Sequence, residues 1–298
     1  LLFSQIATVL EYGEEALLNF GVYLKKLRLS DKTIEYKLRI IKNLLKHRDV
    51  EDFIANAKVK EGTKNIWLTA LEQWFNFHGT TKKFKKFSTE QSLPYVPLER
   101  DIDQFIGGFH NSKYAPLLQL LKETGCRISE AASLRPEDFD FERKFVTINS
   151  PKKHGLPRQL RISDKLIAMT MPLIHKTNPK SLIWKAPLKA IKHQIRKKKR
   201  KLAQQMANPN LLRISPKTFR HFKASMEYYR TKDIIHVKEL LGHKTIKSTM
   251  VYTHLVNFES DEFHCATAKD IAEAEKLIEQ GFDYVTTFND LMLFRKRK

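Results

Sequence analysis

Apolar residues recur every three or four positions along most of this chain, and the period drops to two only between Asp140 and Arg161. Ile34, Leu38, Ile41 and Leu45 fall on one side of a helix that Ser30 or Asp31 can cap. Ile66, Trp67, Leu71, Trp74 and Phe75 define another over about Lys64–His78, with Gly79 placed to stop it. Helices near Glu11–Leu27 and Val50–Ala57 complete a small bundle whose aromatics form its core. Two more are expected at about Glu99–Phe109 and Lys113–Glu123, the second ended by Gly125. In the exceptional stretch, Phe145, Thr147 and Asn149 alternate with Val146 and Ile148, and Leu160 and Ile162 follow Pro151-Lys152-Lys153-His154-Gly155. That pattern predicts a β-hairpin with a basic tip. Helical patterns resume to the end, interrupted by Pro172, Pro179, Pro187 and Pro209. The expected fold class is mainly α with a small antiparallel β-hairpin or sheet, not a doubly wound sheet.

A chain of 298 residues has room for two domains. Periodicity breaks between Thr80 and Arg100, where Lys82-Lys83-Phe84-Lys85-Lys86-Phe87 precedes Pro94 and Pro97, as in a basic, extended connector. The predicted organisation is a helical first domain over 1–83, a linker over 84–98, and a second domain over 99–298 with a tail from about 255–298. In the tail, Ala268, Ile271, Ala274 and Ile278 suggest a helix able to dock on a neighbour, although packing within the chain explains the same stripe.

Lys and Arg outnumber Asp and Glu by 54 to 33, a net charge of +21. A field of that sign favours a polyanion, most commonly nucleic acid; a lysine-rich thermophile surface would add Glu as well. Candidate phosphate contacts are Lys82, Lys83, Lys85 and Lys86 in the connector, and Arg196, Lys197 and Lys198 within the run Lys189–Lys201, which is expected to be helical. A solvated face is the plain alternative, and the terminal Arg295-Lys296-Arg297-Lys298 shares that ambiguity. Two distant cysteines, Cys126 and Cys265, point to a reduced compartment and form no zinc-like spacing. No apolar run is long enough for a membrane span. Leu1-Leu2-Phe3-Ser4 has neither the charged leader nor the cleavage box of a signal peptide, and the lack of an initiating Met suggests a chain missing its native start.

Three segments carry chemistry: Thr124-Gly125-Cys126-Arg127-Ile128-Ser129-Glu130, Lys217-Thr218-Phe219-Arg220-His221, and Leu241-Gly242-His243 followed by Tyr252-Thr253-His254. A tyrosine hydroxyl can attack phosphorus and conserve bond energy as a phosphotyrosine. A free phenol has a pKa near 10, so it needs a positive site to attack at all. Arg127, starting from Gly125, can grip two phosphate oxygens with its planar fork, or it can pair with Glu130. Ser215-Pro216 is a helix start that places Lys217 and Arg220 on the first turn, where cations are unfavourable without an anion. Lys153, or its neighbour Lys152, could protonate a departing 5′ oxygen from the hairpin tip. His243 could bind a nonbridging oxygen or help move the nucleophile's proton. Neither a carboxylate cluster suited to a divalent metal nor a Gly-rich nucleotide loop is present, so no metal and no cofactor are expected.

These motifs resemble those of the tyrosine recombinase (phage integrase) family. The resemblance spans Leu98 to Leu255: Thr-Gly-x-Arg-x-x-Glu at Thr124–Glu130, Lys-x-Gly-x-Pro-Arg at Lys153–Arg158, His-x-x-Arg at Lys217–Arg220 with Lys in place of His, then the Leu-Gly-His and Tyr-Thr-His signatures. It implies a core-binding, DNA-clamping first domain and a catalytic second one. It also implies a catalytic set of Arg127, Lys153, Lys217, Arg220, His243 and Tyr252, strand cleavage through a 3′-phosphotyrosine, and no cofactor. The implied partner is double-stranded DNA at attachment sites, bound by a homotetramer whose protomers can be monomeric when free. The Lys-x-x-Arg box and the tail are similar to integrases of archaeal viruses and plasmids, which implies a mobile element in the cytoplasm of an archaeal host. A type IB-like topoisomerase and a non-catalytic DNA-binding or architectural protein are the alternatives.

Overall fold

The computed structural model describes residues 14–297 except 91, 111, 152–154, 254, 256–262 and 289–290. The chain divides into two compact units between Ser92 and Leu93. In the first, α1 (Glu14–Lys26), α2 (Asp31–Leu44), α3 (Val50–Asn56) and α4 (Glu61–Phe77) follow the apolar spacing. Ser30 caps α2 by accepting the Thr33 N–H, and Asp49 caps α3 through the Asp52 N–H. Phe20, Leu24, Ile41, Leu44, Ile54 and Trp74 bury almost completely between them. The basic stretch after α4 is extended but not free. Phe84 and Phe87 pack on this core; Glu72 accepts the Phe84 N–H at 3.0 Å, and Asn65 pairs with both the N–H and the C=O of Phe87. Packed rings and paired backbone groups thus fix part of the segment that the sequence presents as a basic, extended connector.

The second unit begins with α5 (Glu99–Gly107) and α6 (Ala115–Thr124), whose Phe105, Leu117, Leu118 and Leu121 are buried with Phe219 and Trp184. The one-turn α7 (Ile128–Ala131) follows. A three-stranded antiparallel sheet comes next: β1 (Phe139–Asp140), β2 (Phe145–Ile148) and β3 (Arg158–Arg161) in that order, with Val146 facing Leu160. The alternation of Val146 and Ile148 with more exposed neighbours puts the apolar face of β2 on the core. Then come α8 (Asp164–Ile174), the basic α9 (Leu188–Gln205), α10 (Pro216–Thr231) and α11 (Ile234–Leu241). Pro172 lies inside α8 rather than ending it.

The tail corrects the expectation of helix to the end. It forms a second antiparallel sheet in the order β4–β6–β5, from β4 (Phe263–Ala268), β5 (Asp283–Phe288) and β6 (Leu291–Arg297), with α12 (Ile271–Glu279) between β4 and β5. Strand β6 shows no alternation in sequence: Leu291-Met292-Leu293-Phe294 is an unbroken apolar run that leads into the terminal charges, although it is Met292 and Phe294 that pack on the tail core. The predicted apolar stripe is split accordingly: Ala268 belongs to β4 and is buried, Ala274 is buried on α12, and Ile271 and Ile278 are exposed. Among the described residues, no helix is long and apolar enough to cross a membrane.

Candidate active site

Gly125 ends α6 with φ +62°, and a Cβ there would press on Leu241 and Lys223 at 3.2 Å. The left-handed turn throws the chain into Arg127, the N-cap of α7. Glu130, on the next turn, binds it twice: Oε2 accepts the Arg127 backbone N–H at 3.0 Å, and Oε1 accepts from Nη1 at 3.0 Å. Arg158, on β3, donates from Nη2 to the same carboxylate at 2.8 Å and from Nε to the Leu240 carbonyl at 2.9 Å. Burial alone would push the Glu130 carboxyl up, but these donors and the two guanidinium charges hold it down at about 2.

Arg220, on the second turn of α10, is buried. Its Nη1 donates to the Gly125 carbonyl at 2.9 Å and its Nη2 to the Leu241 carbonyl at 2.7 Å. These bonds take two of five N–H donors and lock the plane of the fork. Burial, and then repulsion from Arg127 and Arg158, lowers its pKa to about 10, so the cation persists at neutral pH. Gly242 closes α11 with φ +64°; a Cβ there would lie 2.8 Å from Arg158 Nη1. Past this turn, His243 Nδ1 lies 2.8 Å from Thr249 Oγ1. Burial and the same three arginines push its pKa down to about 4.

Tyr252 sits on a single 3₁₀ turn, Met250–Tyr252, packed against Ala224, Val237 and Leu241 and only 3% exposed. Burial raises the phenol's pKa, and the charges of Arg220 and Arg127 oppose that rise. The hydroxyl lies 3.1 Å from His221 Nδ1. Arg127, Lys217, Arg220, His221, His243 and Tyr252 all line one cavity of about 630 Å³. Two guanidinium groups, an ammonium and a phenol therefore line a common space whose positive charge suits a phosphodiester.

Residues 101–258, more than half of the chain, match the Phage integrase family. The chain belongs to that family. Its relatives include the tyrosine recombinase XerA of Pyrococcus furiosus, 25% identical over 87% of this chain and 92% of that protein, and a tyrosine recombinase of Thermosipho africanus, 25% identical over 73% and 83%. The fold is shared with the Tn1549 transposon integrase solved with circular intermediate DNA (TM-score 0.62, 15% identity, 88% of this chain and 99% of that one). It is shared also with XerH site-specific recombinase on palindromic difH substrate (TM-score 0.55, 18% identity, 89% and 96%).

This integrase-family site brings together five of the six residues expected to be catalytic; Lys153, like Lys152, lies outside the described residues. Arg127 pairs with Glu130, one of its two sequence readings, and also lines the cavity. Of the charge run on α9, Arg196 lines the cavity, Lys197 is exposed elsewhere, and Lys198 lies over the Phe109 ring at 4.8 Å. Lys192 and Lys199 share the Arg196 face, and Lys199 donates to the carbonyls of Leu212 and Ile214. Helical spacing with Ile191 and Ile195 as the buried marks would have selected that face. In the first unit, Lys82 pairs with Glu51 and Lys86 with Glu72 at 2.8 Å, while Lys83 and Lys85 are exposed. Sequence reasoning placed His221 at the end of the Lys217–His221 segment but gave it no role, its signal being its place next to Arg220.

Proposed function

We propose that the chain is a site-specific DNA recombinase that cleaves and rejoins strands through a 3′-phosphotyrosine, integrating or excising a mobile element. The observation that carries this reading is the Tyr252 hydroxyl in a cavity shared by Arg127 and Arg220. In it, Arg127, Lys217 and Arg220 hold the scissile phosphate and neutralise the charge that builds on its oxygens. Tyr252 attacks phosphorus, Lys153 or Lys152 protonates the departing 5′ oxygen, and His243, tied to Thr249, binds a nonbridging oxygen. Two arginines fixed by carboxylate and carbonyl partners need little reorganisation when the phosphate arrives.

The helical domain expected over about 1–83 clamps DNA, the 84–98 segment, part of which packs on that domain, leads to the catalytic domain, and the tail contacts neighbouring protomers. On paired attachment sites the protein works as a homotetramer, in an archaeal host cell alongside the chromosome or plasmid. Relatives from Pyrococcus and Saccharolobus support the archaeal setting. The topoisomerase and non-catalytic readings are not favoured by relatives named recombinases.

A nicked suicide duplex carrying the cognate site tests the reading. Denaturing electrophoresis should show a covalent protein–DNA adduct without metal or ATP, and Tyr252→Phe should abolish it. An undiminished adduct from Tyr252→Phe would remove Tyr252 as nucleophile. Relaxation of supercoils with no joining between two labelled duplexes would replace recombinase with topoisomerase.

A further inference from the structure

The side chain that meets the Tyr252 hydroxyl is not the histidine of the Leu-Gly-His signature. His243 turns its Nδ1 to Thr249, whereas Nδ1 of His221 lies 3.1 Å from the phenolic oxygen, within reach for proton transfer. The two rings sit 5.8 Å apart between centroids. His221 directly follows Arg220, whose guanidinium is pinned to the Gly125 and Leu241 carbonyls, so its backbone is held at the cavity wall. Burial, Lys217 and Arg220 push the imidazole's pKa down to about 4. It is therefore neutral at neutral pH, and with its proton on Nε2 it presents a lone pair at Nδ1.

We propose that His221 is the general base that takes the phenolic proton as Tyr252 attacks phosphorus. This rests on Tyr252 being the nucleophile. The phenolic O–H bond breaks and its proton passes to Nδ1 while the tyrosyl oxygen–phosphorus bond forms. The phosphorus–O5′ bond breaks with its electron pair on the 5′ oxygen, which a general acid on the opposite side protonates. Rejoining reverses each step, and the imidazolium returns its proton to the departing phenolate. Without DNA, Lys217 and Arg220 disfavour an imidazolium; the arriving phosphate supplies the anion that stabilises one. Proton acceptance is thereby linked to substrate.

The test uses the full chain on the nicked suicide duplex, with DNA affinity measured alongside single-turnover adduct formation. His221→Gln keeps an oxygen able to accept the phenolic hydrogen bond but unable to take the proton, and His221→Ala removes both. Both variants should bind the duplex normally and form adduct about 10²-fold more slowly or worse. The defect should persist on a duplex whose bridging 5′ oxygen is sulfur, because that leaving group relieves only the acid. A wild-type rate for His221→Gln, or a defect erased by the sulfur substrate, overturns the inference. Should His221→Ala fail to bind DNA, His221→Gln decides alone. Adduct formation by Tyr252→Phe would instead sink the nucleophile assignment, an outcome separate from these.

Discussion

Glu130 clasps Arg127 at both ends, accepting its backbone N–H at one oxygen and its guanidinium at the other, each at 3.0 Å. The carboxylate is buried and also receives Arg158, so it is the joint on which two cations of the site are aligned. Removing it leaves two guanidinium charges without the carboxylate they share. Glu130→Ala should cost about 3–5 kcal/mol in urea unfolding, the usual loss when one partner of a buried pair is deleted. Glu130→Gln, which keeps the shape and an acceptor, should lose less stability yet still slow adduct formation. Equal stability of Glu130→Ala and wild type would show that the joint carries no weight.

The helices were legible because their apolar residues repeat at 3.6 and their caps are local: Ser30, Asp49, Gly125 and Gly242 each act within a few residues. The motif residues were legible through short local spacings, and the structure brings five of them to one cavity. The Glu130–Arg158 pair spans 28 positions and the Arg220–Gly125 bond 95, and no periodicity reports contacts at that range. The tail sheet escaped for a different reason. Its β6 begins with the unbroken apolar run Leu291–Phe294 and ends in Arg295-Lys296-Arg297, so no period of two marks it as a strand.

The faces of α9 divide the basic run into unequal parts. Arg196 lines the cavity beside Lys192, whereas Lys198 covers the Phe109 ring. Each phosphate contact contributes about 0.9 to the slope of log affinity against log salt. Arg196→Ala should therefore weaken binding to any duplex and lower that slope by about one. Lys198→Ala should leave the slope unchanged and cost about 0.5–1 kcal/mol of stability through the lost ring contact. Fluorescence anisotropy titrations at several salt concentrations distinguish the two, and identical slopes for both variants would rule out the assignment by face.

Tyr252 packs on Ala224, Val237 and Leu241 of the unit that holds Arg127 and Arg220. Tyr252 is thus seated in its own chain's cavity, and if it is the nucleophile proposed above, cleavage is expected in cis. Tyr252→Phe supplies intact cations without a nucleophile, and Arg127→Ala supplies a nucleophile without one of the cations. A mixture of the two on a nicked duplex should form no more adduct than either alone. Adduct appearing only in the mixture would establish donation of the tyrosine between protomers.

Stability should fall with acid in two windows. His221 and His243 are held down at about 4, against 6.5 for a free imidazole. Between those values the unfolded chain binds protons that the folded chain refuses, so stability rises with pH there and is lost as pH falls from 6.5 toward 4. Glu130 and Glu227 are held at about 2, against 4.5 for a free carboxyl. Their contribution is complete above 4.5 and is lost as pH falls through 2. One fully linked proton changes stability by about 1.4 kcal/mol per pH unit, an upper bound for these partly solvated rings. Calorimetry at pH 7.5, 5 and 3.5 should show the melting temperature dropping at both steps. Replacing both histidines with Gln should flatten the first step and shrink the second, which the carboxylates still drive, and a melting temperature unchanged from pH 7.5 to 5 in the wild-type chain would mean that neither imidazole is held neutral by the fold.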